Sequence, residues 1–283
     1  MYTIMGVTGQ VGAEVARHLL AANKRVRVLV RDAEKGKEWA AKGCEVSVAD
    51  ANNLSALTGA FTDSTGVFIL LPPNFDPSDG FTESRYIIEN LRSALEITKP
   101  EKIVCISTIG AQAPEFNLLN QLQILEQRLA TLDLPITFLR PAWFMENSFW
   151  DIEPAKSNGV IPSFLQPLDK PVPMIATADV GRVSAELLQE NWYGKRIVEL
   201  ESEQQVTPND IAATLSDLLN KPVKMDVIPS ESWEALFRSQ GMSNPHPRIQ
   251  MLHGFNKGWI RFEGIPRKGR VSLKEVLAQL VSR

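Results

Sequence analysis

Three glycines at three-residue intervals, Gly6, Gly9 and Gly12, join a short apolar run to an amphipathic one. The segment reads Gly-Val-Thr-Gly-Gln-Val-Gly, and Val11, Val15, Ala16, Leu19 and Leu20 then fall on one helical face. Strand, glycine turn and helix in that order make an anion cradle. The first N–H groups of a helix lack intrahelical partners, and its dipole presents a positive end. Gly6 lets the chain leave the strand tightly, Gly9 lets backbone approach a diphosphate, and Gly12 lets the helix pack on the strand. These types and spacings allow the binding of a dinucleotide through its pyrophosphate. The expected contacts are Gly6, Thr8, Gly9, Gln10, Val11 and Gly12. A glycine-rich turn in an unrelated α/β protein is the plainer alternative.

The other candidate residues stand at the ends of apolar runs. Val26–Val30 ends in Arg31 and Asp32. In a nucleotide-binding βαβ unit that tip faces the adenosine ribose, where an acid suits a free 2′-hydroxyl and an arginine suits a 2′-phosphate. Arg31 therefore favours NADP, as NADPH, over NAD; a solvated strand-end charge is the competing reading. Asp50 closes the run 45–49, and it either meets an adenine amino group or caps the helix of Leu54, Leu57, Ala60 and Phe61. The run 67–71 ends in Leu71, Pro72 and Pro73, whose fixed backbone is expected to line the coenzyme. Ser107 and Thr108 follow the run 103–106, where a hydroxyl could polarise a carbonyl beside a nicotinamide; capping a turn is the plainer role. Pro141, Trp143, Phe144 and Met145 follow the run 136–139 and offer an apolar wall to a flat ligand, or simply core.

Such residues need a scaffold that brings strand ends together. The apolar runs alternate with helical patterns, including 81–97 and 117–132, which predicts an α/β fold. It is a doubly wound parallel sheet of the Rossmann kind, with a small C-terminal α/β lobe. Pro154, Pro162, Pro167, Pro171 and Pro173 make 151–173 an irregular excursion. Asp179 is expected to cap a helix to residue 190, and 196–200 to extend the sheet. Thr207-Pro208-Asn209-Asp210 starts a helix, 223–228 is a strand, Ser230 opens another helix, and Ser272 with Glu275 forms a capping box. The pattern at 244–258 is ambiguous. The nucleotide-binding domain is assigned to 1–150 and 176–202, and the lobe to 151–175 and 203–283. Lys257, Arg261, Arg267, Lys268 and Arg270 read as a solvated surface, or else as a face for a protein partner.

Composition narrows the class. The chain has 283 residues, 44% hydrophobic and 22% charged, with a net charge of −3, which argues against nucleic acid as a partner. No apolar run reaches the roughly 18 residues that cross a bilayer, and the chain enters its first strand without a signal peptide. Cys44 and Cys105 lie in or beside predicted strands as reduced thiols, so a cytoplasmic protein is expected. His18, His246 and His253 have no partners at ligand spacing, and no metal site is expected.

The chain resembles the NmrA-like group of atypical short-chain dehydrogenases/reductases over nearly its whole length. The carrying features are GVTGQVG at 6–12, VRVLVRD at 26–32, LRPAWFMEN at 139–147, Asp179-Val180-Gly181 and Val206-Thr207-Pro208. LRPAWFMEN is the most specific; similar stretches occur in NADPH-dependent quinone reductases of the group and in a fungal alkaloid-forming reductase. The resemblance implies an NADP-binding domain with a small lobe closing over a cleft. One departure matters. Ordinary short-chain dehydrogenases carry a tyrosine with a lysine four residues later as their proton donor. Here Tyr2, Tyr86 and Tyr193 are followed four residues on by Gly6, Asn90 and Ile197, and no lysine stands between Lys102 and Lys156. Leu118 and Leu122 occupy the expected positions of the pair.

Three readings follow. The first is an NADPH-dependent reductase of a small electrophilic acceptor, such as a quinone, that takes its proton from water. The second is a non-catalytic NADP(H) sensor that signals to a protein partner. The third, a sugar-nucleotide epimerase, ranks last because its chemistry needs the absent tyrosine.

Overall fold

The computed structural model describes residues 1–282. β1 (Tyr2–Ile4) passes through the glycine turn into α1 (Gln10–Ala21). Then come β2 (Val26–Val30), α2 (Ala33–Ala41), β3 (Glu45–Val48), α3 (Leu54–Phe61), β4 (Gly66–Ile69) and α4 (Thr82–Thr98). β5 (Lys102–Ile106), α5 (Asn120–Leu129), β6 (Ile136–Pro141) and β7 (Trp143–Phe144) follow. The rest of the chain forms α6 (Phe149–Ser157), β8 (Val160–Ser163), β9 (Met174–Ile175), α7 (Thr177–Gln189) and β10 (Lys195–Glu201). It ends with α8 (Pro208–Leu219), β11 (Lys224–Val227), α9 (Trp233–Ser239), α10 (His246–Lys257), β12 (Arg267–Lys268) and α11 (Leu273–Val281).

The main sheet has eight strands in the order β12-β10-β6-β5-β4-β1-β2-β3, every pair parallel. This is the predicted doubly wound arrangement. A parallel sheet buried on both faces needs apolar residues at consecutive positions, sent alternately to each side. β4 shows this: Phe68 joins the core under α1 and α7, whereas Val67 and Ile69 join the core under α3, α4 and α5. A third core, with Trp233 and Phe237 of α9 and Leu215 of α8, belongs to the lobe.

Several sequence expectations needed correction. α2 was not foreseen, because only Gly36 and Trp39 of its nine residues are buried and so narrow a stripe leaves no periodic signal. Its cap is Asp32, which accepts the Glu34 N–H at 2.9 Å. The proline-rich stretch 151–173 is not wholly irregular. Pro154 lies inside α6, and Pro162 lies on β8, which pairs with β11 in a two-stranded sheet. Both strands there are edges, where a missing donor is tolerated. The ambiguous 244–258 is largely α10. β12 lies inside the segment assigned to the lobe yet pairs with β10, so the main sheet reclaims Arg267 and Lys268. Lys268 pairs with Glu201 at 2.6 Å and Arg267 with Glu190 at 3.5 Å, which ties two members of the cationic cluster to the sheet edge. No helix among the described residues is long and apolar enough to cross a membrane.

Candidate functional site

The strand order lines up the C-terminal ends of β6, β5, β4, β1, β2 and β3. The residues at or just beyond those ends are Pro141 to Phe144, Ser107 and Thr108, Leu71 to Pro73, Gly6, Arg31 and Asp50. The topology therefore brings nearly every predicted site residue to one edge, where open parallel sheets bind ligands.

At the centre stands the glycine turn. Gly6 has φ +72°, a left-handed conformation that favours glycine. A Cβ on Gly12 would stand 2.4 Å from the Gly6 carbonyl oxygen, so this glycine serves the packing of helix on turn. Gly9 differs: its φ is −103°, and a Cβ would meet only the Gly6 oxygen, at 3.4 Å. Nothing within the protein fold demands glycine there, so the position is free to answer to a ligand.

The start of α1 is equally telling. Asp32, Asn53, Thr207 and Ser272 each accept an N–H at the start of α2, α3, α8 and α11. α1 has no side-chain cap and no acid in its first turn, as is true also of α5 and α10; what sets it apart is the glycine turn that leads into it. The Gln10, Val11 and Gly12 N–H groups receive no side-chain cap, and a diphosphate would match them in charge and hydrogen bonding. A cleft of about 790 Å³ opens beside the turn. Thr8, Gly9 and Gln10 line it, with Lys35 of α2, Thr177 of α7 and Gln279 of α11. Lys35 and Arg17 are the two cations that line the cleft, beside the carboxylates of Glu14, Glu34, Glu38 and Glu146, and neither cation is a candidate on sequence grounds.

Arg31 and Asp50 share the neighbouring corner. The Asp50 carboxylate accepts the Asn52 N–H at 2.8 Å and the Asn52 amide at 2.7 Å. Those two bonds and the Arg31 charge hold its pKa below the usual carboxylate value, against a small opposing effect of burial. It does not cap α3, because Asn53 does so by accepting the Ala56 N–H at 3.0 Å.

The far end of the row is built differently. Arg140, at the end of β6, is 3% exposed. Its Nε and Nη2 donate to the two oxygens of Glu126 at 2.8 and 2.7 Å, and Nη1 donates to Glu263 at 2.5 Å and Gln112 at 3.1 Å. Burial works against the charge, but the two carboxylates outweigh it and raise the guanidinium pKa. Ser107 donates its hydroxyl to the same Glu126 at 2.5 Å. With that proton committed, Ser107 has none to offer a carbonyl in this arrangement. Thr108, partly exposed, keeps only a 3.2 Å bond to the Ile109 carbonyl. Met145 is 1% exposed and sits in the lobe core, so it drops out of the expected apolar wall. Trp143 and Phe144 remain half-buried, and Trp143 meets Phe255 of α10 edge-on at 5.0 Å.

Three contacts close this side of the molecule: two, at Asp179 and Asp76, clasp the lobe to the sheet domain, and one, at Glu146, lies within the sheet domain. Asp179 is not the cap of α7 but lies in its first turn, 1% exposed, and accepts the Arg270 and Val271 N–H groups at 2.7 and 2.8 Å. The Glu146 carboxylate accepts the Thr177 N–H at 2.9 Å, and Thr177 Oγ1 lies 2.9 Å from Gln10 Oε1 at the head of α1. Asp76, in the loop after β4, accepts the Ser243 and Asn244 N–H groups at 2.8 and 2.6 Å, bonds that hold its pKa low. Sequence reasoning missed Glu126, Glu146, Asp76 and Glu263. One signal was present: an arginine inside an apolar strand run must find a buried counter-charge.

Comparison with known proteins agrees with this architecture. The chain is 26% identical over 250 residues to the NAD(P)H azoreductase of Xenophilus azovorans, covering 86% of this chain and 82% of that protein. It is 24% identical over 244 residues to quinone oxidoreductase 2 of Escherichia coli, with the same two coverages, 86% and 82%. The structure of Citrobacter sp. triphenylmethane reductase complexed with NADP(H) superposes with a TM-score of 0.82 at 22% identity, covering 99% of both chains. The model of the NmrA-like family matches residues 2–255, and this chain belongs to that family.

Proposed function

We propose that the protein is an NADPH-dependent reductase of a small electrophilic acceptor, with quinones as the leading class. The uncapped start of α1 beside a Gly9 that the fold itself does not require carries the reading. The names of the two relatives, an azoreductase and a quinone oxidoreductase, point the same way. Gln10, Val11 and Gly12 would hold the diphosphate by backbone N–H groups, and Arg31, with Lys35 nearby, would hold the 2′-phosphate that separates NADP from NAD. Bound there, NADPH would supply a hydride that, with one proton from water, takes a quinone to its hydroquinone.

The chain's own part is to bind, orient and exclude water. Trp143 and Phe144 would flank the acceptor, and Thr108 is the hydroxyl left to meet its carbonyl. No tyrosine–lysine pair supplies a proton, so acceptors that are reduced on their own electrophilicity suit the site best. The missing pair equally favours the second reading, a dinucleotide sensor acting on a protein partner.

An assay separates them. Purified protein, NADPH and a panel of quinones are mixed, and nicotinamide absorbance is followed. Turnover well above the buffer background supports the reductase; rates equal to background across the panel leave the sensor.

A further inference from the structure

Thr177, the first residue of α7, ties the head of α1 to a carboxylate. The three side chains involved, Gln10, Glu146 and Thr177, all line the cleft of about 790 Å³ beside the glycine turn. Glu146 Oε1 and Gln10 Oε1 lie 2.7 and 2.9 Å from the Thr177 hydroxyl oxygen. A hydroxyl carries one proton and two lone pairs, so it cannot donate to both. Glu146 takes the proton. Its contact is the shorter, a carboxylate is the stronger acceptor, and both its oxygens already receive the Thr177 N–H, at 2.9 and 3.0 Å.

That choice fixes the amide of Gln10. Two acceptor oxygens facing each other at 2.9 Å repel, so Gln10 meets the Thr177 lone pair with an N–H. A side-chain amide has nearly the same shape either way round, and its partners decide which end is which. The amide nitrogen therefore points at Thr177, and the amide oxygen points away from it. Gln10 is exposed on the cleft wall, so that oxygen is presented to a ligand as an acceptor. A diphosphate offers only acceptors of its own and cannot use it; a hydroxyl can. Position selects the hydroxyl. Arg31 and Asp50 lie on the β2–β3 side of the glycine turn. Glu146 follows β7, the continuation of β6, and Thr177 follows β9, the partner of β7. Gln10 is held toward that second side, where the nicotinamide half of the dinucleotide would lie on the function proposed above.

We propose that the side-chain oxygen of Gln10 accepts a hydrogen bond from a hydroxyl of the nicotinamide ribose. Thr177, its proton held by Glu146, is the positioning residue that turns the amide to do so. The inference rests on the coenzyme reading above and adds a side chain that reads a sugar where the backbone N–H groups would hold a phosphate.

Two fragments that share the adenosine 2′-phosphate and the diphosphate, and differ in the second ribose, provide the test: 2′-phospho-ADP-ribose and 2′-phospho-ADP. Each is titrated calorimetrically into the natural protein, Gln10→Met, Thr177→Val, Thr177→Ser and the double variant Gln10→Met/Thr177→Val. In Gln10→Met, Kd for the fragment with the second ribose should rise about fivefold, the worth of one hydrogen bond, while the shorter fragment changes less than twofold. Thr177→Val should give a loss of the same kind, about threefold, and cost nothing further in the Gln10→Met background. Thr177→Ser keeps the hydroxyl and should bind like the natural protein. Equal losses for both fragments would place the contact at the diphosphate or the adenosine ribose and overturn the proposal. So would no loss for either, additive losses in the double variant, or a serine variant as weak as the valine one. If the fragments bind too weakly to compare, NADPH replaces them: a fivefold loss in Gln10→Met to which Thr177→Val adds nothing sustains the proposal, and unchanged affinity ends it while the coenzyme reading stands. No binding of NADPH to the natural protein removes both.

Discussion

At the β1–α1 turn, the groups that face a ligand are backbone N–H groups, fixed by a short strand, three glycines and the start of a helix. The seam of β5, β6 and the lobe is held instead by side chains paired across long stretches of chain, as Arg140 and Glu263, 123 positions apart, are. The first end is made by local geometry and, on the function proposed above, would hold a part common to all dinucleotides. The second is made by long-range pairing and can vary without disturbing the first.

The contrast can be broken at either end, and the largest effect belongs to the side-chain end. Arg140→Met removes the cation from between Glu126 and Glu263 and strands a partly buried carboxylate. A loss of about 3–5 kcal/mol is expected, read as a lowered denaturation midpoint. At the backbone end the expected loss is of function. Gly9→Val should keep the melting temperature within a few degrees and weaken NADPH at least a hundredfold, because a side chain there meets little of the protein but fills the approach of the diphosphate. Gly12→Val should do the reverse and unfold the turn, since its Cβ would stand 2.4 Å from the Gly6 oxygen. Calorimetry on both variants, with and without coenzyme, checks the pair.

A third effect belongs to the lobe side. Burial raises the Asp151 carboxyl on α6 from its ordinary 3.8 to about 6, with a hydrogen bond to Ser148 opposing the rise. Between those pH values the unfolded chain has released this proton while the folded protein retains it, so folded stability from this group falls as pH rises through the window. The contribution is roughly 2 kcal/mol, allowing for residual solvent contact. Asp151→Asn should therefore stabilise the protein at pH 8 and leave it unchanged at pH 3, measured by urea denaturation at both values. The smallest effect is at the ribose corner. Arg31→Ala should weaken NADP(H) about tenfold and NAD(H) less than twofold in fluorescence titrations, because only NADP(H) presents a 2′-phosphate.

What the sequence made legible follows the same division. The glycine turn, β2, the helix starts at Thr207 and Ser272 and the parallel winding were readable because period, caps and turn residues are local. α2 escaped because two buried residues make no stripe, and α6 because a proline inside a helix reads as a break. Asp179 reads as a cap in the sequence because an acid at a helix start normally is one. Its true partners, Arg270 and Val271, lie more than 90 residues away. Glu126 carries no pattern of its own; only the fold puts it between Ser107 and Arg140.

One titration bears most directly on the account. NADPH and NADH are added separately to the purified protein and heat or tryptophan fluorescence is followed. Saturable one-to-one binding, tighter for NADPH, is the expected result; no measurable affinity for either dinucleotide would contradict it.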